Sequence, residues 1–144
     1  MEITEILELW SEDTNIDSSE LTVESLKIPK LHHKYLKLFM SAKKELAQFE
    51  VIYKQALKIK TEYYQGILPE EELKSYKLSP FPLKILKENF PLYLESDEQL
   101  AKLRLKFSEY KEKVDLLDAI IKSINNRNFN IKNAIDFLKW SNGS

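Results

Sequence analysis

The chain has 144 residues, of which 43% are hydrophobic and 11% aromatic, enough for one folded domain with a modest core. It has no cysteine, and its two histidines, His32 and His33, are adjacent. Adjacent residues on a helix diverge by about 100°, so this pair cannot form a two-histidine metal site. The two glycines, Gly66 and Gly143, cannot form a phosphate-binding loop of the Walker or dinucleotide type. These features predict a protein that is not an enzyme and needs no metal or cofactor.

The net charge of −1 conceals a strong polarity along the chain. Residues 1–26 carry eight acidic groups and no lysine or arginine, whereas residues 27–64 carry nine lysines and three glutamates. Residues 65–144 are nearly balanced, with thirteen basic and twelve acidic groups. This polarity indicates an electrostatic role for the middle block, for which the acidic leader could compete. The alternative is that these are ordinary solvated helix faces, and charge alone does not separate the two.

No membrane or export signal is recognisable in the sequence. No apolar run approaches the roughly 18 residues that cross a bilayer. The N-terminus, "MEITEILELW", is acidic where a signal peptide would be basic. We therefore expect a protein that has no membrane partner and is not exported.

The N-terminal third predicts a short helix followed by a long one. Apolar residues between 2 and 10 recur at the spacing of a short amphipathic helix. Asp17, with Glu20 three residues later, resembles a capping box, and Pro29 suits the first turn of a new helix. From about residue 30 to 65, apolar residues recur every three or four positions without glycine or proline. Such a helix is about 50 Å long, which favours a hairpin or an assembly.

The central segment predicts a helix end and an ordered connector. Gly66 suits a left-handed C-cap, and Pro69 suits the start of a short helix. Residues 79–97 contain three prolines among many apolar residues. Proline forbids one continuous helix there, but the apolar density argues against a flexible linker. We expect a connector packed on the helices, with one short helix near 83–89.

A second long helix is predicted from Ser96 or Asp97, either of which can serve as its N-cap. Its apolar residues alternate in steps of three and four for more than three heptads. A second apolar edge beside this stripe favours association of several copies, and burial of both helices within one chain is the alternative. Residues 125–130 predict a turn before a last short helix that ends near Trp140. The residues expected to build the core of the oligomer are Phe107, Tyr110, Val114, Leu117, Ile121 and Ile124.

The predicted architecture is all-α, a long helical hairpin with short flanking helices and a coiled-coil-like C-terminal helix. No strand pattern competes with it. We expect one helical domain over 1–144, made of an acidic leader (1–26), a long basic helix (29–65), a proline-containing connector (66–97) and C-terminal oligomerisation helices (98–140).

Lysines follow one face of the first long helix. Seven- or fourteen-residue steps separate Lys30, Lys37, Lys44 and Lys58, and Lys34 and Lys54 widen the line. Such a line suits a phosphate backbone, and Tyr63 and Tyr64 could add base stacking, which suits a single strand. The alternative is that Lys58 and Lys60 complement the helix dipole before Gly66, while Tyr63 continues the apolar stripe.

Three stretches resemble the UvsY-type recombination mediator proteins of T-even-like bacteriophages. Residues 34–66, "KYLKLFMSAKKELAQFEVIYKQALKIKTEYYQG", are similar to the first long helix of that family. "NIDSSEL" at 15–21 and "LDAIIKSINNRNFNIKNAIDF" at 117–137 resemble its preceding segment and its C-terminal signature. The matched positions in the helix are Lys43, Lys44 and Glu45, then Leu57, Lys58 and Lys60, then Glu62, Tyr63, Tyr64 and Gly66. Lys60 stands where the family typically has arginine and Ile59 where it has alanine, so the charge is kept but the planar guanidinium is lost.

The resemblance implies a specific role. Such mediators are non-enzymatic, form ring-like homo-oligomers of six or seven subunits through C-terminal helices, and bind single-stranded DNA without sequence preference. They help a RecA-like phage recombinase displace the phage single-strand-binding protein, which places them in the cytoplasm of the bacterial host. The DNA contacts implied are Lys58 and Lys60, assisted by Lys54, Lys43 and Lys44, with Tyr63 and Tyr64 as stacking residues. An oligomeric helical adaptor that binds only proteins is the alternative function.

Overall fold

The computed structural model describes residues 1–143 and confirms the all-α class. Within that range no strand occurs. The helices are α1 (Ile3–Asp13), α2 (Leu21–Gln65), α3 (Glu70–Ser75), α4 (Phe90–Ser96), α5 (Glu98–Asn125) and α6 (Arg127–Ser141), with a 3-10 turn at Lys87–Asn89 before α4. The expected long hairpin is formed by α2 and α5. The two helices run antiparallel, because Phe49 of α2 packs on Phe107 of α5, whereas Lys60, later in α2, pairs with Asp97, just before α5 begins.

Helix α2 is longer than the sequence predicts. It begins at Leu21, so Pro29 lies inside the helix and not in its first turn. Proline has no N–H to donate to the carbonyl of Ser25, but Ser25 and Pro29 are both exposed, so water can satisfy that carbonyl. The predicted capping box does not form either. The carboxylate of Asp17 instead accepts hydrogen bonds from the backbone N–H and the hydroxyl of Ser19, which hold the pKa of Asp17 below its ordinary value.

Gly66 ends α2 as predicted. Its φ of +74° is left-handed, the N–H of Gly66 donates to the carbonyl of Tyr63 at 3.1 Å, and the N–H of Ile67 donates to that of Glu62 at 3.1 Å. These two bonds form the Schellman arrangement that satisfies the last carbonyls of a helix. The motif turns the chain out of α2 towards α3.

Replacing Gly66 with alanine should lower the free energy of unfolding by about 1 kcal/mol, measured by urea denaturation. A Cβ at this position would meet no atom within 4 Å, so the whole loss comes from the left-handed backbone. Gly66→Asn is the matched control, because asparagine tolerates this conformation better, and its loss should be smaller. Equal losses in the two variants would contradict the backbone explanation.

The chain divides into two compact units, each with half of both long helices. The first contains residues 1–44 and the chain from Lys111 onward, and the second contains Glu45–Tyr110. The core of the first unit is built by α1, α2 and α5 from Ile6, Tyr35, Ala42, Leu117, Ile120 and Ile124. The Tyr35 hydroxyl donates to Asp13 at 2.8 Å, and Trp10 packs edge-on against its ring. Burial and the Asp13 carboxylate raise the pKa of Tyr35 above its ordinary value.

Arg127 attaches the start of helix α6 to the segment after α1 within the first unit. Its guanidinium donates to the carbonyls of Asp13 at 3.0 Å, Thr14 at 3.4 Å and Asn15 at 3.2 Å, and it pairs with Glu24 at 3.5 Å. The turn predicted over 125–130 is therefore shorter than expected, and Asn126 alone separates α5 from α6. These long-range contacts hold the start of α6 in a place that local turn residues do not reveal.

The second unit contains the connector, which packs on the helices as predicted. Phe81 lies against Tyr63, Tyr64 and Tyr93, with ring centroids 5.6, 5.0 and 5.8 Å away. We call these four residues the aromatic cluster. The short helix expected near 83–89 is displaced, and α4 begins at Phe90 with Pro91 in its first turn, where a missing N–H costs nothing.

Candidate nucleic-acid interface

Four of the lysines predicted to contact DNA project from α2 into solvent. Lys43 and Lys44 are exposed in the first unit, and Lys54 and Lys58 are exposed in the second. Lys54 pairs with Glu50 at 3.1 Å, an exposed contact of the kind that water and salt weaken. Among residues 1–143, Lys58 has no carboxylate partner. Lys58 is therefore available to bind an anionic ligand.

Lys60 is placed differently from Lys58. Only 12% of its side chain is exposed, and its ammonium lies 3.1 Å from the carboxylate of Asp97, which is 5% exposed. Asp97 also accepts from the Tyr64 hydroxyl at 2.6 Å and from the N–H of Leu100 at 2.9 Å, so it is the N-cap predicted for α5. Lys60 is thus part of a buried network that joins the end of α2 to the start of α5.

The network sets the ionisation of its members. Burial alone would raise the pKa of Asp97, but the hydrogen bonds from Tyr64, Leu100 and Lys60 outweigh it and hold that pKa below the ordinary value. Burial and the bond to Asp97 raise the pKa of Tyr64. Sequence reasoning recognised Asp97 as a cap but missed its link to Lys60. No local signal connects two residues so far apart in the chain.

The two tyrosines of the motif belong to the aromatic cluster. Tyr63 and Tyr64 contact each other edge-to-face at 5.3 Å, and both contact Phe81. The Lys60 ammonium lies 5.8 Å from the centre of the Tyr63 ring. Both tyrosines are half-buried, so stacking a base on either ring would require displacing a neighbour.

The residues predicted to build the oligomer core pack within a single chain. Leu117 and Ile124 are completely buried in the first unit, so neither reaches a second copy directly, and Val114 and Ile121 pack against the same core. In the second unit Phe107 stacks on Phe49 and Tyr53, and Tyr110 packs on Phe49. Large apolar side chains stay exposed on several elements, and those of α6 are Phe129, Phe137, Leu138 and Trp140. In the sequence, the heptad of α5 was a stronger sign of association than the apolar residues of α6, but α2 and α1 pack against that heptad within the chain.

Within residues 1–143, no group of three or more histidine, aspartate or glutamate side chains is arranged to hold a metal ion. None of the helices in this range combines the length and the apolar character needed to cross a membrane.

The fold and the exposed lysines of α2 define an all-α protein with a basic helix. Residues 9–144 match the family model described as "Recombination, repair and ssDNA binding protein UvsY". The chain belongs to the UvsY family, whose description names recombination, repair and binding of single-stranded DNA.

Similar proteins agree with this assignment along nearly the whole chain. The chain is 25% identical to the "Recombination protein uvsY" of Enterobacteria phage T4 over 143 residues, which is 99% of each chain. A crystal structure of the bacteriophage T4 recombination mediator protein UvsY superposes with a TM-score of 0.85 at 26% identity and covers 98% of both chains. A second crystal form of that protein gives a TM-score of 0.85 at 24% identity and covers 97% of this chain.

Proposed function

We propose that this protein binds single-stranded DNA without sequence preference and promotes the loading of a RecA-like recombinase. The recombinase would be loaded onto DNA that is covered by the phage single-strand-binding protein. This loading would serve homologous recombination and repair in the cytoplasm of the bacterial host. The observation that supports this most directly is the exposed, unpaired Lys58 on a lysine-rich helix of a chain in the UvsY family. Each phosphate that a lysine neutralises releases condensed counterions, which favours binding at any sequence.

The DNA-contacting residues divide into two groups in this proposal. Lys58 contacts phosphate directly, and Lys54, Lys43 and Lys44 assist it, because all four ammonium groups project into solvent. Lys60, Tyr63 and Tyr64 act by positioning. Lys60 and Tyr64 hold Asp97, and the two rings hold the connector through Phe81. A lysine in a buried ion pair would have to leave Asp97 unpaired before it could reach a phosphate.

We further propose that α6, within the C-terminal segment 98–140, forms the contact between copies in a ring of six or seven subunits. Trp140 is 77% exposed and Phe137 is 63% exposed. The centroids of their rings are 6.2 Å apart. A pair of large exposed rings is typical of an association surface. A closed ring would present the same lysines several times to one strand, which raises avidity without new contacts.

Lys58→Ala should weaken binding of a fluorescent oligothymidylate and reduce its salt dependence. One lost phosphate contact makes the negative slope of log K against log salt shallower by about 0.7 for a single strand, so titrations at several salt concentrations measure it. Lys122→Ala is the matched control, because Lys122 is an exposed lysine of α5 that pairs with Asp118 at 2.8 Å. An unchanged slope in Lys58→Ala would contradict a phosphate contact at this residue.

The proposed role itself is tested with the unaltered protein. We expect binding that falls steeply with salt and is indifferent to sequence, and faster recombinase assembly on strand coated with single-strand-binding protein. A folded sample that binds no oligonucleotide at low salt would refute DNA binding and favour an adaptor that binds only proteins. Native mass spectrometry tests the ring, which a monomer would contradict.

A further inference from the structure

The second unit contains a cavity of about 350 Å³ between the end of α2, the chain after α3 and the start of α5. This volume lies in the range of roughly 300–1,000 Å³ that is typical of small-molecule sites. Its apolar walls include Ala56, Ile59, Leu78, Leu100 and Leu103. Tyr76, Lys60 and Gln99 also line it, so the cavity combines an aromatic ring and a few polar groups with apolar walls.

Tyr76 presents an accessible aromatic face in this cavity. It is 47% exposed, and among the described residues it contacts no other ring. Tyr63, Tyr64 and Tyr93 differ from it, because each packs on other members of the aromatic cluster. Tyr76 is therefore the tyrosine of this unit whose ring can stack on a ligand without displacing a packed neighbour.

The turn after α3 brings Tyr76 to the cavity and leaves Lys77 in solvent. Lys77 has a φ of +56°, a left-handed conformation in which glycine is the favoured residue. Its N–H donates to the carbonyl of Lys74 at 3.1 Å, and that of Leu78 donates to Leu73 at 2.8 Å. Tyr76 and Leu78, on either side of Lys77, both line the cavity. Lys77 thus adopts a backbone conformation that glycine usually adopts. Such outliers are common at functional sites, which suggests a role for the charge of Lys77.

The chain after α3 is basic. Residues 73–87 contain four lysines and no acidic residue, and the three glutamates at 70–72 precede them. Lys74 lies 3.8 Å from Glu70, whereas Lys77 is exposed and has no carboxylate partner within the described chain. Because Lys77 stands between two residues that line the cavity, its charge favours an anionic group there.

We propose that the cavity takes one unstacked base of a bound single strand, which stacks on Tyr76 while Lys77 contacts an adjacent phosphate. The inference rests on the proposed single-stranded DNA binding and adds the connector to the contacts made by α2. Every base has a π-face, so stacking fits binding without sequence preference. The Gln99 amide can both donate and accept hydrogen bonds, so it suits any base edge.

The base contact is tested with two strands of equal length and charge, an oligothymidylate and the same strand with abasic sites. We expect Tyr76→Ala to lose about tenfold in affinity for the intact strand and little for the abasic strand. Tyr76→Phe keeps the ring and should bind both strands as the unaltered protein does. Equal losses on the two strands, or no loss on either, would overturn the proposal. No loss on either strand would point to a protein side chain as the occupant.

The phosphate contact is tested with Lys77→Gly, a variant that removes the charge and relieves the backbone. Its melting temperature should rise by roughly 3 °C, so weaker binding could not be ascribed to unfolding. The negative slope of log K against log salt should become shallower by about 0.7, and Lys77→Arg, which keeps the charge, should keep the original slope. An unchanged slope in Lys77→Gly would refute the contact. Failure of the unaltered protein to bind any strand refutes the proposed function, whereas normal binding by all these variants refutes only the cavity site.

Discussion

Arg127→Leu should lower the free energy of unfolding by about 3–5 kcal/mol, the largest loss expected from one substitution in this chain. The guanidinium is almost completely buried, and it serves three backbone carbonyls and the carboxylate of Glu24. Leucine would leave those carbonyls without this donor, and the buried carboxylate of Glu24 would keep only its ion pair with Lys27 at 3.2 Å. Urea denaturation followed by circular dichroism measures the loss, and Lys132→Leu, at an exposed position of α6, should change it by less than about 0.5 kcal/mol.

The contribution of the ion pair between Arg127 and Glu24 can be measured separately from that of the hydrogen bonds to the backbone carbonyls. Adding Glu24→Gln to Arg127→Leu removes the buried carboxylate that has lost its arginine partner, so the double variant should recover part of the loss. Arg127→Lys keeps the charge but has three donors on a single nitrogen in place of the planar fork, so its stability should lie between those of the unaltered protein and Arg127→Leu. A double variant as unstable as the sum of the single ones would show that the carbonyl contacts, and not the ion pair, carry the stability.

Lys60→Met should lower the free energy of unfolding by about 3 kcal/mol, because it leaves Asp97 buried without its cation. Lys58→Met, at an exposed position two residues away, should change it by less than about 0.5 kcal/mol while weakening DNA binding. The two neighbouring lysines of one motif therefore separate a positioning role from a contact role. Equal stability of the two variants would contradict the buried network.

Acid pH gives an independent measurement of the same network. The folded pKa of Asp97 is lowered, so its ionised form contributes stability that is present above the unfolded pKa of about 4 and is lost as the pH falls below it. Protonated Asp97 no longer needs an ammonium partner. The difference in stability between the unaltered protein and Lys60→Met should therefore shrink below about pH 4. A difference that stays constant through this range would show that Lys60 stabilises the chain in another way.

In the proposed function, one motif matched by sequence contains residues with different roles. Lys58 and Lys60 lie on the same helix, but α5 approaches one side of it in the second unit and covers Lys60. Lys58 faces solvent, so it is free to contact a phosphate. Lys60 faces α5 and is held by Asp97, the N-cap of that helix. Sequence similarity reports that both positions belong to the family pattern, and only the fold assigns each one its contact.

Features that depend on neighbouring residues were predicted well from the sequence. The apolar periodicity indicated both long helices, Gly66 marked the end of α2, and Asp97 marked the start of α5. Features that depend on distant partners were not. The extension of α2 past Pro29 and the early start of α6 at Arg127 both oppose the local signals of proline and of an asparagine-rich turn. The contacts of Arg127 with residues more than 100 positions away have no local counterpart.

The sequence by itself determined the all-α class, the two long helices, the polarity of charge and the resemblance to the UvsY family, because helix period, caps and motifs are encoded within a few neighbouring residues. The tertiary structure alone decided which of those residues are available. It buried Leu117 and Ile124 inside one chain, paired Lys60 with Asp97, and left Lys58 and Trp140 in solvent. The physical reason is that burial and ion pairing depend on which elements meet in space, and the residues that meet are far apart along the chain.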